Sequence, residues 1–152
     1  MNLIYDRTAE DVQTARKQRG KVLTPLKGCY NAADMNRVAA AVTEIAAELN
    51  SAGYAVTVNP RTYAGTDIIR RSDFAAYLAD VQAIRDAISV RESTPSVPAT
   101  DAKLDYVGAN DIEKILADLD ELLDWMTYSR KYCGTFAAGQ TILPHITTKG
   151  MI

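Results

Sequence analysis

At 152 residues, with 47% hydrophobic and 24% charged residues, the chain has the size and balance of one globular domain around a single core. Its 17 basic and 19 acidic residues leave a formal charge of -2, which gives no broad positive field for a phosphate backbone, so nucleic acid is not an expected partner. No apolar run is long enough for a bilayer, and the start, MNLIYDRTAED, lacks the charged-then-apolar pattern of a secretory signal. No membrane partner is therefore expected, and the chain should be made and assembled in the cytoplasm.

From Thr8 to Gln18 a short helix is expected, with Thr8 and Asp11 resembling a cap and its first-turn acid, although Val12 is nearly alone as an apolar anchor. The following stretch carries Arg16, Lys17, Arg19, Lys21 and Lys27 with no acid between them. Such an arm can contact phosphates, but in a chain of this charge it is better read as solvated or as lying against an acidic helix.

Residues 31 to 50 form the clearest amphipathic helix: Met35, Val38, Val42, Ile45 and Leu49 recur with three-then-four spacing, Asn31 stands as N-cap, Asp34 suits the first turn and Gly53 the exit. Tyr54, Val56 and Val58 then alternate with smaller or polar residues before Pro60, the period of a short extended arm. A second helix is expected over 73 to 90 behind Ser72, its stripe formed by Phe74, Tyr77, Val81, Ile84 and Ile88. Pro95 and Pro98 mark a connector.

A longer helix is expected over 110 to 133, capped by Asn110, with Asp111 and Glu113 at its positive end and Gly134 as its stop. Ile112, Ile115, Leu119, Leu122 and Met126 form its stripe, widened by Leu116 and Leu123. The remainder is apolar without a helical period. The expected architecture is all-α: a small three- to four-helix bundle over 1-134, including the N-terminal arm, with a short extended arm and an irregular C-terminal tail over 135-152. Val38, Val42, Ile45, Val81, Ile84, Ile115, Leu119 and Leu122 should be buried.

Chemistry is sparse in this pattern. His145 is the single histidine and has no ligand pattern around it, and Cys29 and Cys133 lie in no nucleophile motif. Two cysteines are too few for a disulfide framework or a cysteine-only zinc site, so free thiols are expected unless the fold brings Cys29 and Cys133 together. Asp111, Glu113, Asp118, Asp120, Glu121 and Asp124 invite a reading as paired carboxylates or a cation site, against which the helical spacing of Asp120, Glu121 and Asp124 beside the apolar stripe suggests a solvated acidic face. The glycines form neither a phosphate loop nor a dinucleotide fingerprint. No catalytic, cofactor-binding or metal residue is assigned.

Five blocks, IYDRTAEDV, KGCYNAADMNRVAAAV, RRSDFAAYLADVQAIRDAI, LDYVGANDIEKILADLDELL and FAAGQ, together resemble a helical module of tail-associated structural proteins in phages and prophages of Gram-positive bacteria. The most specific parts are the aromatic-Asp-Arg-Thr start at Tyr5 to Thr8, the KG..NA.D.NRV opening at Lys27 to Val38, and the ANDIEKIL opening at Ala109 to Leu116. The resemblance implies a virion structural protein of a tail, baseplate or fibre base, partnered by other phage tail proteins and by copies of itself. A spacer shorter than the module's and an end soon after FAAGQ favour an adaptor over a receptor-binding protein.

The motifs also have a purely physical reading. Arg37 can reach a carboxylate beside its helix, and Tyr5 and Tyr30 can pack at helix entrances. Partner contacts are expected from Tyr54, Val56 and Val58 on the extended arm and from Ile142, Leu143, Ile146 and Ile152 in the tail. The alternatives are a small enzyme using the acidic helix face or a cysteine, and a regulatory protein that binds a host protein.

Overall fold

The computed structural model describes residues 1–19, 21, 26–100 and 103–133, with side chains described as far as residue 129 in the last helix. The tail reading over 135-152, with Ile142, Leu143, Ile146, Ile152 and His145, lies outside the described residues, as does the side chain of Cys133. The fold is all-α: α1 spans Ala9–Gln18, α2 Ala32–Ser51, α3 Arg71–Asp86 and α4 Tyr106–Cys133, with no strand among the described residues.

Local chemistry starts the first two helices as expected. Thr8 Oγ1 accepts the Asp11 N–H at 3.2 Å while Asp11 accepts the Thr8 N–H at 2.9 Å, a reciprocal capping box. Asn31 and Asp34 repeat the device on α2, with 2.8 Å from Ala33 N–H to Asn31 and 2.9 Å from Asn31 N–H to Asp34. Beyond α2, Gly53 takes φ 97°, a left-handed conformation that glycine adopts without a Cβ penalty.

The starts of α3 and α4 differ from expectation. Arg70 occupies the N-cap position of α3 and Ser72 falls within the first turn, because the Asp73 carboxylate accepts the Arg70 N–H at 3.1 Å and fixes the entry two residues earlier. The helix also ends at Asp86, leaving Ile88 half-buried beyond it. For α4 the cap is Asp105, whose carboxylate accepts the Gly108 N–H at 2.8 Å, so Asn110 lies inside the helix and caps nothing. Helix-weakening Gly108 hides this extra turn from a propensity argument.

Helices α2, α3 and α4 pack on one another in all three pairings. Seven of the side chains expected in the core, Val38, Val42, Ile45, Val81, Ile84, Ile115 and Leu119, are buried; Leu122 is only half-buried and Leu123 points inward in its place. Contacts fix the direction of each helix. Tyr30, at the entrance of α2, meets Tyr77 early in α3, and Arg37 meets Glu113 early in α4. At the other end Ser51 and Ala52 lie beside Met126 and Thr127, and Arg85 reaches the Thr94–Pro95 backbone while Thr94 reaches Asp118. All three helices therefore run in the same sense, and each connector returns along the bundle. Short helix–helix loops would impose antiparallel neighbours; extended returns remove that constraint.

Three asparagine side chains hold the extended segments to the helices. Asn36 donates to Tyr63 O at 2.8 Å and accepts from Tyr63 N at 2.7 Å, Asn50 binds Val56 N and O at 3.0 and 2.9 Å, and Asn110 binds Arg7 N and O at 3.0 and 2.9 Å. A carboxamide has the same donor and acceptor as a peptide group, so each clamp gives the extended backbone the pairing that a strand neighbour would supply.

Candidate functional site

The three most specific sequence blocks converge on one buried cluster of charges. Arg7 comes from the N-terminal segment, Asp34 and Arg37 from the first turns of α2, and Glu113 from α4. Arg7 Nη2 lies 3.1 Å from Asp34 Oδ1 and 2.7 Å from Glu113 Oε1, and Arg37 Nη2 lies 2.5 Å and 2.8 Å from the same two oxygens. Arg37 Nε and the Ile4 backbone N–H fill Glu113 Oε2 at 3.1 and 2.6 Å. Glu113 is fully buried, and Asp34 and Arg7 nearly so.

Every part of this cluster is committed to the fold. Two guanidinium groups and two carboxylates cancel in charge, which is the condition for taking them out of water. Arg7 further donates from Nε to Lys27 O at 3.2 Å and from Nη1 to Ile4 O, and its guanidinium lies 5.4 Å from the Tyr30 ring centre. The neighbouring carboxylates hold the Arg37 guanidinium above its ordinary pKa, the hydrogen bonds to Glu113 being the largest cause. No buried side-chain nitrogen or oxygen among the described residues lacks a partner.

Beside the cluster the Tyr30 and Tyr77 hydroxyls meet at 2.5 Å, and Tyr77 packs edge-on to Tyr63 and stacked on Phe74. Burial pushes both phenols well above their ordinary value of 10.0. Because the folded pKa values are raised, the stability these groups contribute is present below pH 10 and is lost as pH rises from there through the folded values. In an alkaline titration, Tyr30 and Tyr77 should ionise only as helical circular dichroism is lost. Smooth ionisation of all eight tyrosines by ultraviolet absorbance, with the helices intact, would contradict their burial.

The acids of α4 divide. Glu121 and Asp124 are solvated as expected, and Glu121 pairs with Arg91 at 2.6 Å. Asp120 is half-buried, 3.9 Å from the Met1 amino group, and Glu113 and Asp118 are buried, which overturns the first-turn role expected for Glu113: Asp118 accepts Thr94 Oγ1 at 2.9 Å and Lys114 Nζ at 2.5 Å. The cause is the central place of α4, which is covered on more than one face. Among the described residues no cluster of metal-ligating side chains occurs.

Other candidates fall as follows. Cys29 is a free, exposed thiol. Lys27 pairs with Asp6 at 2.8 Å and Asp11 at 3.7 Å rather than with α4, and Arg16, Lys17, Arg19 and Lys21 are exposed. Tyr5 is half-exposed, with Lys114 Nζ 5.6 Å from its ring centre, and Tyr30 packs at the entrance of α2 as expected. Tyr54, Val56 and Val58 form an extended arm whose alternate residues face inward, packed against the chain's own core. Their apolar sides are thus used within the chain. Among the described residues the exposed large aromatic side chains are Tyr5 and, on the outer face of α4, Trp125 and Tyr128.

No protein-family model matches the chain, and comparison with curated proteins and with solved structures finds no match.

Proposed function

We propose that the chain is a non-catalytic virion structural protein, an adaptor at the tail, baseplate or fibre base of a phage or prophage, working through protein–protein assembly with other tail proteins. The observation that carries this reading is the use made of the motif residues. Arg7, Asp34, Arg37, Asn110 and Glu113 are the groups with most chemical potential in the three blocks, and they are spent on tying an N-terminal segment to two helices. A buried, self-neutralised cluster supports shape, whereas a catalytic acid or base needs access to a substrate proton.

The test is composition of particles. Tail particles purified from the strain carrying the gene should contain the chain at a fixed ratio to other tail proteins, measured by quantitative mass spectrometry. A chain that stays in the soluble fraction while complete particles form without it would sink the proposal.

A further inference from the structure

Two charged patches of opposite sign stand apart on the surface. The first is basic. Arg16 and Lys17 lie in the last turn of α1, and Arg19 and Lys21 in the turn after it, where the Lys21 N–H bonds Gln18 O at 2.9 Å. All four are exposed, and no described acid pairs with any of them. The acids of α1, Glu10 and Asp11, stand in its first turn, and Asp11 is turned to Thr8 and Lys27. The helix dipole acts within the last turn, so it accounts for Arg16 and Lys17 and not for Arg19 and Lys21.

The second patch is acidic. Glu44 and Glu48 stand four positions apart late in α2, and Asp120 and Asp124 four apart in α4, so each pair shares a helix face. The two faces adjoin, because Glu48 and Asp124 flank one groove whose floor holds Leu123 and Met126. Burial raises the Glu48 carboxyl above its ordinary pKa, and the charges of Asp120, Glu44 and Asp124 raise it further. Among the described residues the cation paired with this group is the Met1 amino group, 3.9 Å from Asp120.

The patches do not serve each other within one chain. Arg16 lines a groove with Lys103, Asp105 and Ala109 at the entrance of α4. Asp120 and Asp124 lie 11 and 15 residues beyond Ala109 on that helix, about 16 and 22 Å at 1.5 Å per residue. The screening length at physiological salt is about 8 Å, so the cations feel little of these carboxylates. Each copy therefore presents unpaired cations at one place and crowded carboxylates at another. Two copies bring together what one chain keeps apart.

We infer that the basic face at the end of α1 docks in the acidic groove between α2 and α4 of a second copy of this chain. The inference rests on reading the chain as an assembly protein and names the surfaces and the partner. The charged heads of Arg16, Lys17, Arg19 and Lys21 meet Glu44, Glu48, Asp120 and Asp124, and their aliphatic stems lie over the apolar floor.

The experiment uses the full chain, by sedimentation equilibrium over a concentration series at about 0.05 M and about 0.5 M salt. An oligomer mass is expected at the lower salt, with association at least about tenfold weaker at the higher. Arg16→Glu with Lys17→Glu reverses one patch, and Glu48→Lys with Asp124→Lys reverses the other. Each variant should be monomeric at the lower salt with helical circular dichroism retained, since all four residues are exposed. Mixed in equal amounts, the two variants should associate again, because the native patch of each meets the native patch of the other and the reversed patches likewise match.

A monomer at every concentration and both salts overturns the inference and leaves the basic face to a different anionic partner. An oligomer indifferent to salt and to both reversals overturns it equally, as does a mixture of the two variants that stays monomeric. Particle composition is read separately. A chain that associates through these patches but never enters particles keeps this interface and removes the virion reading, and a monomeric chain that enters particles does the reverse.

Discussion

Glu113→Ala is expected to destabilise the chain by about 3–5 kcal/mol, the range for removing one partner from a buried ion pair. Both Glu113 oxygens are saturated, by Arg7, Arg37 and the Ile4 N–H. Removing them leaves two guanidinium groups sharing Asp34 alone, with one net positive charge inside the protein. For a domain of this length the loss corresponds to a melting temperature lower by roughly 6–20 °C. Replacing the charges together should cost far less, because the main penalty is the uncompensated charge rather than the missing pair. Glu113→Leu combined with Arg7→Met leaves Arg37 paired with Asp34 and no net charge, and should therefore melt above Glu113→Ala. Equal melting of wild type and Glu113→Ala, followed by circular dichroism, would show that the cluster does not hold the fold.

The helices themselves were legible because their signals are local. The α2 stripe and the capping pairs Thr8–Asp11 and Asn31–Asp34 each lie within a few turns of chain, and the structure contains all of them. Tyr54, Val56 and Val58 were legible as an extended arm from their period of two, but that period does not say whose surface the inward side meets. It meets the chain's own core. Asn110 and Glu113 were misread for one reason: each acts on the N-terminal segment, across a sequence separation of 103 and 109 residues. A cap preference and a helix-dipole preference are both satisfied by the same residue types, so the local reading had no way to see the distant partner. The signal that was present is charge matching between motifs, since Arg7 and Arg37 in two blocks answer Asp34 and Glu113 in two.

Helix direction was unreadable for a related reason. Connector length does not distinguish a loop that turns at once from an extended segment that returns along the bundle, and the devices that enforce the return are single asparagines. Asn36 and Asn50 stand on α2 one near each end, so together they lay the arm along its length. A parallel three-helix arrangement puts the entrances of α2, α3 and α4 at one end, where the Arg7 cluster and the Tyr30–Tyr77 pair form.

Gly28→Ala should detach α1 from that end. A Cβ built at Gly28 would stand 2.1 Å from Asp11 O, 2.3 Å from Asp11 C and 2.6 Å from Val12 N, all backbone atoms of α1 that no rotamer change can move aside. The chain near Lys27 or the helix must retreat, and either shift strains Lys27 O on Arg7 Nε and the Lys27 pairs with Asp6 and Asp11. Overpacking of this kind costs about 1–3 kcal/mol and sometimes more. Ala15 is the one fully buried residue of α1, so little apolar area opposes the separation. Hydrogen exchange should show the α1 amides losing protection while α2, α3 and α4 keep theirs, with a melting temperature lowered by several degrees on the scale of about 2–4 °C per kcal/mol. Unchanged protection of α1 in Gly28→Ala would mean that the close approach of the KG motif to α1 does not anchor the helix. Melting of the whole bundle in step with α1 would instead make the N-terminal segment, through Arg7, part of one cooperative unit with the core.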